Sequence, residues 1–211
     1  MVALKHGDLL HFTLNMSLPS HDSIEQMLTK AEQLKFDGKY AEALALLEEL
    51  LVMDPDNVTA LEELADNELS LGRYERAKLA ALHALRLDHD SYTAHYILGF
   101  IASHAEDWPT SITELKIANS LEQNNPEILR CLGWSLFSSG KKIEGMVTLE
   151  RALNLEEQNP LILCDLGVAC LRSNEFGKSK ALLSRALDID PANSRVKECL
   201  EMVRRIEKHV A

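Results

Sequence analysis

Basic side chains are scarce in this 211-residue chain: 22 Lys and Arg stand against 33 Asp and Glu, for a formal net charge of −11. Nucleic-acid affinity rests on clustered Lys and Arg that release counterions from phosphates, so this balance excludes a nucleic-acid partner and disfavours an anionic membrane surface. Long hydrophobic runs are also missing. No segment approaches the roughly 18 apolar residues that cross a bilayer, which excludes membrane insertion. Lys5 is the only Lys or Arg ahead of an interrupted apolar stretch (Leu9, Leu10, Phe12 and Leu14), which lacks the continuous apolar region of a signal peptide. The four cysteines, Cys131, Cys164, Cys170 and Cys199, contain no C-x-x-C pair, and a chain of this length needs no disulfide staples. A reducing, cytoplasmic setting follows. Catalytic signatures are absent: there is no Gly-rich phosphate loop, H-E-x-x-H, G-x-S-x-G or kinase-type motif, so the expectation is a non-enzyme without a cofactor.

What the chain does have is a period. An apolar fraction of 46% with 26% charged residues is ordinary for a folded protein, and self-similarity at 20 to 50 residues decides how such a chain is read. Stepping by 34 from Ile24 reaches Val58, Tyr92, Pro126 and Pro160 with no insertion or deletion, and then Ser194. At the eighth place stand Ala31, Ala65, Gly99, Gly133 and Gly167, and at the twentieth Ala43, Ala77, Ser111, Gly145 and Ser179. The twenty-seventh holds Leu50, Ala84, Ala118, Ala152 and Ala186. Small residues in fixed columns mark where two helices approach closely. Gly38, Gly72, Gly140 and Asn174 at the fifteenth place suit a turn that needs positive φ, with Glu106 the departure. Tyr40, Tyr74, Trp108 and Phe176 two residues later are large enough to close the joint, and Lys142 breaks that column. Leu64, Leu98, Leu132 and Leu166, with Leu47, Leu115, Leu149 and Leu183, supply buried faces, while Asp-Pro and Asn-Pro pairs punctuate the joints.

These columns resemble the tetratricopeptide repeat family, whose pattern sets small residues at places 8, 20 and 27, an aromatic near 17 and a proline near 32. The resemblance covers about residues 24–193. It implies an all-α, right-handed solenoid of five helix-turn-helix repeats, 24–57, 58–91, 92–125, 126–159 and 160–193, with a capping helix over 194–211. Lys197 and Glu201 suit the solvated outer face of that cap. Residues 1–23 form an N-terminal segment read as extended or disordered. Within it Leu10, Phe12, Leu14, Met16 and Leu18 alternate with polar residues, a strand-like period. It could dock in the groove, pair with its counterpart in a homodimer, remain a tail, or be absent if translation begins at Met16.

Other chemistry-bearing residues read as structural. His83, His89, His95 and His104 fall at places 26, 32, 4 and 13 and point in different directions, whereas metal ligands must converge on one ion. Cys131, Cys164 and Cys199 fall at places 6, 5 and 6 of successive helices and pack as small hydrophobes. Glu62, Glu63 and Asp66 lack a partner nucleophile or base and make a solvated acidic face.

In the family, places 2, 5, 9, 12 and 13 of each first helix face the concave surface. The resemblance therefore implies a peptide-binding groove that is acidic at Glu62 and Asp66 and apolar or aromatic at Tyr96, Phe100, Arg130, Trp134, Phe137, Val168 and Leu171. Its first two units also contribute Glu25, Glu32, Lys35 and Ser70. The Lys and Asn clamp with which chaperone-binding members grip a C-terminal carboxylate is absent, since Leu28, Glu32, Glu62, Asp66, Tyr96 and Phe100 occupy those places. Trp134 is either an exposed anchor or a filler of a tightly wound groove. The expected function is a protein-binding adaptor or scaffold that holds an extended or helical peptide segment with apolar anchors, and with basic residues toward Glu62 and Asp66. The alternatives are a chaperone for an aggregation-prone or secreted partner, like those of type III secretion, and a regulatory or targeting subunit of a larger assembly.

Overall fold

In a computed structural model, the backbone is described for residues 21–210 and the side chains for residues 23–206. The N-terminal alternating segment therefore lies outside the described residues. Eleven α-helices and no strand occur among those described: α1 (His21–Phe36), α2 (Tyr40–Met53), α3 (Val58–Ser70), α4 (Tyr74–Leu87), α5 (Tyr92–His104), α6 (Trp108–Leu121), α7 (Pro126–Ser138), α8 (Lys142–Leu155), α9 (Pro160–Arg172), α10 (Phe176–Ile189) and α11 (Ser194–Val210). They form a right-handed solenoid of five helix pairs closed by α11.

Local chemistry sets each boundary. The residue before each of α3, α5, α7 and α9 is an N-cap whose side chain accepts a backbone N–H: Asn57 from Ala60, Ser91 from Ala94, Asn125 from Glu127 and Ile128, and Asn159 from Leu161 and Ile162. Asn193 does the same for Val196 N ahead of α11. These oxygens satisfy donors that the helix itself leaves unpaired, and Pro126 and Pro160 occupy the first helical position, where proline is preorganised. Between paired helices the chain turns through positive φ at Gly38 (73°), Gly72 (70°), Gly140 (97°), Asn174 (64°) and also Glu106 (58°). Glu106 takes the left-handed conformation that the other four copies give to glycine or asparagine, which places a small strain there.

The paired helices touch through the small columns. A β-carbon on Gly99 would lie 2.6 Å from Leu115 Cγ, and one on Gly145 would lie 2.4 Å from the amide nitrogen of Phe137. Where the twentieth place is serine, its hydroxyl uses this proximity: Ser111 and Ser179 donate to the carbonyls of Gly99 and Gly167, each at 2.8 Å.

The backbones of successive first helices (α1, α3, α5, α7, α9 and α11) come close to one another, while those of successive second helices stand farther apart. The first helices therefore line the inner, concave side. Consecutive second helices are bridged by long side chains on the outer side, as in Arg76 with Glu48 (2.6 Å) and Lys178 with Glu150 (2.5 Å). Such exposed pairs contribute little, about 0–1 kcal/mol each.

Gly145→Ala should lower unfolding free energy by about 1–3 kcal/mol, because the added methyl meets backbone that must move. Gly177, on α10 with nothing within 4 Å of an added β-carbon, is the control: Gly177→Ala should leave stability unchanged or raise it by less than about 1 kcal/mol. Urea unfolding of both variants checks the pair.

Candidate functional site: the concave groove

Two clefts of opposite character lie along the inner face. The first, of about 250 Å³, is lined by Lys35, Glu63, Asp66, Tyr92, Thr93, Tyr96, Asn125 and Glu127. Lys35 reaches across from α1 to donate to Glu63 at 2.7 Å and Asp66 at 3.1 Å. Burial works against its charge, but these two carboxylates outweigh burial and hold its pKa above the ordinary lysine value. The acidic lining expected at Glu62 and Asp66 is thus partly neutralised from within. Glu62 accepts a short hydrogen bond from Ser91 Oγ, and half-burial pushes its carboxyl up despite that bond, with Asp88 and Glu63 adding to the rise.

The second cleft, of about 470 Å³, opens between α5, α7, α9 and α11 and is lined by Phe100, Ser103, His104, Glu106, Trp108, Arg130, Cys131, Trp134, Ser138, Asp165, Arg172 and Arg195. At its base Arg130 donates to Asp165 Oδ2 at 2.6 Å and, through Nε, to Glu127 Oε2 at 2.8 Å. Only 13% of the Arg130 side chain and 8% of the Asp165 side chain is exposed. Burial raises the Asp165 pKa while Arg130 and Arg195 oppose the rise. Burial acts the same way on Glu127, but there Arg130 and the Tyr96 hydroxyl outweigh it and hold the carboxyl below its ordinary value. Tyr96 donates to Glu127 Oε1 at 3.1 Å, so one polar chain joins the two clefts.

Above this base sits an aromatic pair. The rings of Trp134 and Phe137 are stacked with centroids 6.4 Å apart. The guanidinium of Arg195 lies over Trp134 and that of Arg172 over Phe137, each 5.5 Å from the ring centroid. Tyr96 and Phe100 form a second, tilted pair at 6.2 Å. Tyr96, Phe100 and Trp134 are all partly exposed.

Not every expected lining residue reaches the surface. Phe137 is 2% exposed, and Val168 and Leu171 are 9% exposed, within one hydrophobic cluster that includes Val196, Leu200 and Val203 of α11. The capping helix covers the apolar side chains of α9 that would otherwise face the groove. These three residues form the floor that supports Trp134 and have little area to offer a ligand. In the other direction, Arg172 at place 13 and Arg195 at place 2 of the cap belong to concave columns and were not among the expected site residues. Extending those columns into the last repeat and the cap would have found them. Asp165 at place 6 had no such signal, because its role depends on a partner 35 residues away.

The cysteines are unbridged. Burial raises the Cys131 thiol above its ordinary value, against the pull of Arg130, and raises Cys164 and Cys170 to about 11. A thiol at that value is protonated and unreactive. Among the described residues no group of three or more His, Cys, Asp or Glu side chains is gathered to hold a metal ion, and no helix is long and apolar enough to cross a membrane.

Sequence profiles described as tetratricopeptide repeat match residues 37–98 and 161–193. Solved structures share the architecture. A thermophilic tetratricopeptide repeat protein of Thermus thermophilus superposes with TM-score 0.70 at 20% identity, covering 85% of this chain and 98% of that one. PilF of Pseudomonas aeruginosa gives 0.72 at 14% identity, covering 89% and 85%. YrrB, a repeat protein described as having an unusual peptide-binding site, gives 0.60 at 20% identity, covering 85% and 96%. No curated protein matches the chain. Tetratricopeptide repeats thus occupy residues 37–98 and 161–193, within a fold shared with solved tetratricopeptide repeat proteins.

Arg130→Ala should cost about 3 kcal/mol of stability, since it strands the buried Asp165 carboxylate. The double variant Arg130→Ala/Asp165→Ala should lose at least about 1 kcal/mol less than the sum of the two single losses. Chemical denaturation of the four proteins in the cycle reads both numbers.

Proposed function

We propose that this protein is a non-catalytic adaptor that holds an extended or helical peptide segment of a partner protein in its concave groove, in a cytoplasmic setting. One observation carries the reading: Trp134 stands partly exposed in a cleft of about 470 Å³, on a buried floor and beside an arginine. Aromatic side chains supported in this way, with arginine at their edge, are the usual anchors of protein interfaces. Tyr96 and Phe100 extend the same surface toward Glu62 and Asp66, giving a segment several turns or several extended residues long a continuous path. The peptide-binding site described for YrrB lends support by analogy of fold alone.

Within the groove, Glu62, Glu63, Asp66, Glu127 and Asp165 are engaged by Ser91, Lys35 or Arg130, and Cys131 is buried with a raised pKa.

Affinity purification from the native cell, wild type beside Trp134→Ala, tests the proposal. A groove-bound partner should be retained by the first and lost by the second, which should bind about 2 kcal/mol more weakly, roughly thirtyfold in Kd, while keeping its helical circular dichroism. A partner set indifferent to Trp134 would move the site to the convex face or the termini and overturn the proposal.

A further inference from the structure

The groove has a polarity that the net charge of the chain conceals. Of the cleft around Trp134, Arg130 is consumed by Glu127 and Asp165. Arg195 approaches Asp165 only at 3.9 Å and is 58% exposed. Arg172 is exposed, with no carboxylate of the described residues within ion-pairing distance, and rests on the Phe137 ring. A guanidinium stacked on an aromatic face keeps its in-plane N–H groups free, and that edge is a fork matched to a carboxylate. Two such forks flank the stacked Trp134 and Phe137 rings. At the opposite end, the cleft holding Glu63, Asp66 and Glu127 has only Lys35 as its own cation.

We infer that the cap-proximal half of the groove is a docking surface for an acidic peptide segment, whose Asp or Glu carboxylates pair with Arg172 and Arg195 while a neighbouring apolar or aromatic side chain packs on Trp134. The inference rests on the groove-binding reading and adds to it the chemistry and direction of the ligand: its acidic part lies at α9 and α11, and any basic part at α1 and α3. Charge complementarity selects this occupant. A nucleic-acid strand would also offer anions and stacking bases, but its phosphates would continue along the groove into Glu63, Asp66 and Glu127, and the chain as a whole carries −11. A peptide can change the sign of its charge along its length, and a nucleic acid cannot.

The test is selection of a displayed random twelve-residue peptide library on the full chain, in parallel with Trp134→Ala and with Arg172→Gln/Arg195→Gln. Both arginines are exposed, so the double variant should keep the wild-type melting temperature. The expected result is enrichment on wild type of peptides with at least two Asp or Glu beside an apolar residue. That enrichment should vanish on the arginine variant, and a synthetic copy of the leading peptide should bind the variant at least about tenfold more weakly, the scale of a lost charge-assisted fork. Selected peptides that depend on Trp134 but are neutral or basic would overturn this inference and leave the adaptor reading standing. Peptides indifferent to Trp134, or no enrichment at all, would overturn both. Retention of a thymidine oligonucleotide by wild type, lost on the arginine variant, would replace the peptide with a nucleic acid and overturn it as well.

Discussion

Where Gly133 faces Gly145, a β-carbon on either glycine would lie 3.0 Å or less from backbone of the opposing helix. That closeness is the constraint on which the groove depends. Two helices held at minimum separation have one way to pack, and a stack of identically packed pairs repeats one rotation per unit. Side chains at equal places therefore fall on a line across the inner face. Tyr96 and Arg130 share place 5, and Phe100, Trp134 and Val168 share place 9. Small residues far from any ligand thus fix the spacing of the large ones that would meet it.

The same closeness explains which parts of this arrangement are readable in the sequence. A small residue at places 8 and 20 is a local steric demand made by each pair on itself, and so is the positive φ at place 15, so every copy displays it. Even the exception is instructive: Glu106 adopts φ of 58° because the turn imposes it, whatever residue is present. The capping residues Asn57, Ser91, Asn125, Asn159 and Asn193 form an equally regular column, visible in hindsight as the residue that closes each 34-residue unit. Asparagine at a joint reads first as a loop residue, and its oxygen acquires a second meaning only once the helix start is known to fall immediately after it.

Exposure obeys a different rule. Whether Phe137, Val168 or Leu171 faces solvent depends on what the next unit and the cap place above it, a property of the accumulated winding. The sequence assigns each residue to a face of its own helix, and that face is shared by a groove and by a neighbour. At place 9 of the fourth unit Trp134 stays partly exposed, whereas place 9 of the fifth, Val168, lies in the cluster with α11. Cross-repeat pairing is hidden in the same way. Lys35 with Asp66, and Arg130 with Asp165, are separated by 31 and 35 residues, and nothing in a single unit says that an acid will meet a base in the next.

The buried pair of Arg130 and Asp165 is poor evidence for stability, because desolvating two charges cancels much of what their attraction returns, and an apolar pair of equal volume would hold the helices at least as well. Its effect is positional. Asp165 fixes the Arg130 side chain along the groove floor, and Arg130 in turn fixes Glu127, which accepts the Tyr96 hydroxyl. With its negative charge occupied by Arg130, Asp165 has little left for Arg195, whose guanidinium turns to the Trp134 face instead. A chain with eleven surplus negative charges thereby presents Arg172, which has no carboxylate partner among the described residues, and Arg195, which approaches Asp165 only at 3.9 Å, at the end of the groove farthest from the Glu62, Glu63 and Asp66 cluster. The polarity of the surface follows from how its few basic residues are paired, and the net charge gives no hint of it.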